Sequence, residues 1–161
     1  MKSGIIFFKS IVIILLLTTS CNKKKKDFPM NSTTNSDRIL YKEEALIKGD
    51  TSAYYQLSLD YMDSPYEGFL YTAMIMANKH DYHLAYFDVY EVLTSHDRKM
   101  GVHELEDLDE KTCAMALDYL KAGAEKGNKE CKRILGRLYI EGNYIEKNVE
   151  LGNRLLNDGD D

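Results

Sequence analysis

The chain has 161 residues, of which 44% are hydrophobic, so it is long enough for one domain with a buried core. It carries 21 Lys and Arg against 26 Asp and Glu, a net charge of −5, which argues against nucleic acid as a partner. There is no tryptophan, but there are 12 tyrosines and three cysteines.

Residues 1–20 read as a leader rather than as part of the fold. Lys2 and Lys9 mark a basic start, IVIILLL follows as an apolar run, and Thr18, Thr19 and Ser20 are small. That order is the pattern of a bacterial secretory signal peptide. The apolar run is too short to stay in a bilayer as a spanning helix. Cys21 directly after the small residues resembles the lipobox of bacterial lipoproteins, which implies lipidation at Cys21 and membrane attachment through that lipid. The expected place is the bacterial cell envelope, facing the periplasm or the cell surface.

Residues 21–37 form the next segment. NKKKKDFPMNSTTNSD is polar, has one proline and shows no apolar period, so it predicts a flexible tether. Beside a lipid, Lys23 to Lys26 suit anionic headgroups, each contributing about 1 kcal/mol near the surface. Residues 38–161 hold 15 basic and 24 acidic residues, a net charge of −9. Such acidity favours a basic protein partner, through steering that weakens with salt.

From residue 38 onward the apolar period is helical. The spacing predicts helices over Ile39–Lys48 and Ser52–Met62, and Ser64-Pro65-x-Glu67 reads as a helix start. Helices over Gly68–Asn78 and Tyr82–Leu93 follow. Thr94–Leu108 is an insertion with Gly101 and a run of acids. Lys111–Lys126 and Lys129–Ile140 make a hairpin, with Gly127 placed to stop the first helix. Gly136 inside the second helix is tolerable if another helix crosses close to it. Asn148–Leu156 closes the array, and the last residues are expected to fray.

A count recurs along these helices. From Gly127, Cys131, Leu135 and Tyr139 follow at plus four, plus eight and plus twelve. From Gly49 the same count gives Ala53, Leu57 and Tyr61, and from Asp81 it gives Ala85, Val89 and Leu93. Internal periodicity of this kind predicts stacked helix pairs. ALDYLKAGAEKGNKECKRILGRLYIEGNYIEKN resembles the Sel-one-like repeat family, relatives of the tetratricopeptide repeats, at Cys131, Leu135, Gly136, Tyr139, Gly142 and Ile145 in order. The resemblance implies an all-α fold: a short α/α solenoid of about three helix-turn-helix repeats over residues 38–161. It also implies a protein that binds other proteins, and it does not imply an enzyme; with no nucleophile, acid–base pair or metal frame in the sequence, none is expected.

The chemistry-bearing residues give little else. His80 and His83 have a spacing that can hold zinc on one helical face, and His96 and His103 lie in the insertion, but no metal motif accompanies them. Cys113 and Cys131 stand on antiparallel helices with an offset of about 12 Å at 1.5 Å per residue, beyond disulfide reach. Two buried free thiols are therefore expected. Glu104, Glu106, Asp107 and Asp109 make an acidic loop suited to a basic partner, without the central glycine of a calcium loop. Tyr54, Tyr55 and Tyr86 are candidate partner contacts, since tyrosine is enriched at interfaces. Tyr54 and Tyr55 are adjacent and cannot share one helical face.

No cofactor, metal, small-molecule substrate or nucleic acid is expected. The functional reading is a membrane-anchored helical-repeat lipoprotein that binds another protein as a scaffold or adaptor. The alternative is an immunity protein, an inhibitor that neutralises a basic toxin enzyme.

Overall fold

A computed structural model describes residues 34–61, 67–94 and 105–160. The leader, Cys21 and the tether lysines fall outside these residues. So do Ser64 and Pro65, and most of the insertion with His96, His103 and Glu104. Within the described residues the fold is all-α: seven helices and no strand. They are α1 (Asn35–Lys48), α2 (Thr51–Tyr61), α3 (Glu67–His80), α4 (His83–Thr94), α5 (Glu110–Glu125), α6 (Lys129–Glu141) and α7 (Val149–Asp160). A 3-10 turn, Leu105–Asp107, precedes α5. None of these helices is long and apolar enough to cross a membrane.

Helix ends depart from the sequence expectation where a cap decides them. α1 starts at Asn35 rather than Ile39, because Thr34 caps it. The Thr34 hydroxyl accepts the Asp37 N–H at 3.3 Å, and the Asp37 carboxylate accepts the Thr34 N–H at 3.0 Å. This reciprocal box satisfies two otherwise orphaned donors and takes residues 35–37 out of the expected tether. At the other end, α7 runs past Leu156 to Asp160 instead of fraying. Asn148 opens it by accepting the Leu151 N–H at 2.9 Å.

Three turns carry the periodicity. Gly49, Asp81 and Gly127 all adopt left-handed backbone, with φ of 72°, 54° and 84°. Gly49 and Asp81 share one hydrogen-bond pattern. Their N–H groups reach Ala45 and Ala77, and the next N–H reaches Glu44 and Met76. The positions four and eight residues on are buried in every case: Ala53 and Leu57, Ala85 and Val89, Cys131 and Leu135. The first two places of the count read from the sequence are therefore inward-facing, while at plus twelve Leu93 and Tyr139 are half-buried.

Packing follows chain order. The principal contacts join α1 to α2, α2 to α3, α3 to α4, α4 to α5, α5 to α6 and α6 to α7, and also α1 to α3 and α4 to α6. α7 packs most extensively, on α6, where glycines let the two backbones meet. A Cβ on Gly152 would stand 2.6 Å from the Gly136 carbonyl oxygen, and one on Gly136 would stand 2.9 Å from that of Gly152. The crossing helix that Gly136 calls for is thus α7. One core cluster links Tyr90 of α4, Leu105, Leu120 of α5, and Cys131 and Leu135 of α6. Leu105 ties the returning insertion into that core at 5% exposure, leaving Glu106 and Asp107 outside.

Candidate functional site: a groove across alternate helices

The turns are fastened to one another at one end of the helices. The Leu46 carbonyl accepts from Lys79 Nζ at 2.9 Å and lies 3.0 Å from His80 Nε2. Asp81 receives Lys126 Nζ at 2.7 Å and the Tyr86 hydroxyl at 3.1 Å. Lys126, then Tyr86, hold its carboxyl below the usual range. Asn128 is buried; its side chain accepts the Cys131 N–H at 2.9 Å and donates to the His83 carbonyl at 3.0 Å. Successive turns are thereby held side by side.

Next to this row lies a cavity of about 500 Å³. α2 contributes Tyr54, Tyr55 and Ser58 to it. The start of α4 contributes His83, Leu84, Phe87 and Asp88, with Tyr82 just ahead of it. The opening of α6 contributes Lys129 and Glu130, beside Gly127 and Asn128. Three alternate helices therefore line one groove, each through its first turns. Tyr55 and Leu84 are 55% and 46% exposed at its walls.

Asp88 sits in the groove and is half-buried. Its Oδ2 accepts the Tyr54 hydroxyl at 2.5 Å. Burial pushes its carboxyl up to about 6, against the lowering effect of the Tyr54 hydrogen bond. Tyr54 itself is locked. Its ring stacks on Phe69 at 5.4 Å and meets the edge of Tyr82 at 5.6 Å. Burial first, then the Asp88 charge, drive its hydroxyl well above the ordinary phenol range.

The expected contact residues separate accordingly. Tyr55 is exposed, and so are Glu106 and Asp107. Tyr54 and Tyr86 are buried, at 2% and 8% exposure, and of the two Tyr54 reaches the groove lining. The reason is adjacency for Tyr54, which turns inward as Tyr55 turns outward. For Tyr86 it is close packing against Gly123, where the Tyr86 Cβ comes within 2.9 Å of an added Cβ. Asp109 caps α5 through the Lys111 and Thr112 N–H groups, at 3.0 and 3.2 Å. Its carboxylate therefore has a structural task.

His80 and His83 do not share a helix face. The Asp81 turn divides them, and no cluster of three metal-ligating residues occurs among the described residues. Cys113 and Cys131 are free, as the spacing predicts, but only Cys131 is fully buried; Cys113 is half-buried. The sequence reading does not single out Asp88, Leu84 or Lys129. The available signal was Asp88 inside the apolar run LAYFDVY, three residues ahead of Glu91.

Comparison with protein-family models, curated proteins and solved structures returned no match. What the fold defines is a class: an all-α protein whose described helices pack in chain order, with a groove lined by α2, α4 and α6.

Proposed function

We propose that this chain is a lipid-anchored protein-binding module of the bacterial cell envelope. In that reading it is a short helical solenoid of the Sel-one-like kind, with Cys21 as the lipidated residue. The observation that carries the binding part is the groove: three successive turns place equivalent helix starts along one cavity walled by exposed Tyr55 and Leu84. Repeat folds use extended surfaces of this type to hold partners, and an aromatic wall edged by polar and charged side chains suits a protein segment. The acidity of residues 38–161 makes the partner basic.

The binding part is tested by photo-crosslinking from position 55 in the native envelope, with position 71 as the control. Tyr71 is 66% exposed and lies outside the groove lining. One protein crosslinked at 55 but not at 71 supports the reading, and identical products from both oppose it. The anchor is tested separately. Cys21→Ala should move the protein from the membrane to the soluble fraction, and unchanged fractionation would remove lipidation from the proposal.

A further inference from the structure

Asp88 is the groove carboxylate without an ion-pair partner among the described residues, whereas Glu130 pairs with Arg133. Among the described residues its hydrogen-bond partner is the Tyr54 hydroxyl, on Oδ2. No described Lys, Arg or His lies within ion-pair distance of it. Its second oxygen is not sealed, since among the described residues no buried side-chain oxygen lacks a hydrogen bond. Lys129 and His83 line the same groove, yet both are exposed. A half-buried carboxylate without a counter-ion is unfavourable for folding. An asparagine of the same shape would accept the Tyr54 hydrogen bond without the charge.

We infer that Asp88 anchors a lysine or arginine side chain of the protein partner that occupies the groove. The inference rests on reading the groove as the protein-binding site. The walls fit such an occupant. The Leu84 and Phe87 side chains can cover the methylene stem of a long cation, and the Tyr55 and Tyr82 rings offer the electron-rich faces that cations favour. The hydrogen bond from Tyr54 fixes the carboxylate and leaves one oxygen for the incoming donor. A phosphate or carboxylate beside Asp88 would meet its charge at close range, which disfavours an anionic group at that position even though Lys129 and His83 line the groove elsewhere.

The experiment is selection of random peptides on the full mature chain. Affinities for wild type, Asp88→Asn and Leu84→Glu are then read by fluorescence anisotropy. The selected peptides should share a lysine or arginine. Replacing it with glutamine, or Asp88 with Asn, should weaken binding about tenfold or more. The two changes together should cost no more than either alone, a coupling that a merely structural role would not produce. Leu84→Glu should abolish binding. Peptides that need Leu84 but bind Asp88→Asn as well as wild type would overturn the cation anchor and leave the groove standing. Peptides indifferent to Leu84→Glu, or no selectable peptide, would overturn both. Circular dichroism of Asp88→Asn serves as the check that its fold is retained.

Discussion

At the scale of single residues, burial decides more than residue type. Tyr54 and Tyr55 are neighbours with the same side chain, yet one is sealed between rings and the other meets solvent. Asp88 shows the same control over protonation. Its folded-state value of about 6 stands above the ordinary 3.8, so the folded chain holds a proton that the unfolded chain has released between those values. Stability from this group is therefore greatest below pH 4 and is lost as pH rises toward 6. Asp88→Asn should raise the unfolding free energy at pH 7 by on the order of 2 kcal/mol. It should also flatten the pH 4–6 dependence, as measured by urea denaturation at several pH values. The two thiols should differ as well. Burial pushes the Cys131 thiol up to about 12, so an alkylating reagent should label Cys113 in the native protein and Cys131 only after unfolding. Equal native labelling would contradict the buried placement.

Two features matter at the scale of elements: the caps that start helices and the glycines that let them touch. Asn128 does two jobs, opening α6 and holding the His83 carbonyl at the head of α4. Asn128→Ala should therefore cost about 2 kcal/mol or more, since a cap and a buried partner are lost together. Asn128→Ser keeps a capping oxygen and should lose less, which equilibrium denaturation can compare. The α6–α7 crossing makes a contrast between glycines. Gly152→Ala would drive a methyl against the backbone of α6, at a cost of about 2 kcal/mol despite alanine's better helix propensity. Gly127→Ala meets no atom within 4 Å, so only its left-handed backbone opposes it, at about 1 kcal/mol. The expected order of melting temperatures is wild type, then Gly127→Ala, then Gly152→Ala. Caps were partly legible in the sequence: the Thr34-x-x-Asp37 box stands in plain view, although the polar composition around it argued for a tether. The crossing at Gly136 was legible as a demand, but which helix meets it was not.

At the scale of the whole molecule, the principal contacts follow chain order, so the folded part should respond to truncation locally. Removing residues 149–161 strips the cover from Gly136 and should lower the melting temperature while retaining most of the helical circular dichroism of α1–α5. Loss of the entire helical signal would show instead that the units depend on one another throughout. The sequence by itself determined the all-α class, the helices and the repeated count of inward positions, because helical period and turn glycines are local properties. It also determined that Asp81 stands where glycine stands in the other turns. Only the tertiary structure decided which tyrosines are core, which turn fastens to which, and that Asp88 lies in a groove between α2, α4 and α6. Those outcomes depend on how helices far apart in sequence are juxtaposed, and no period within one helix encodes the surroundings that a side chain acquires from another.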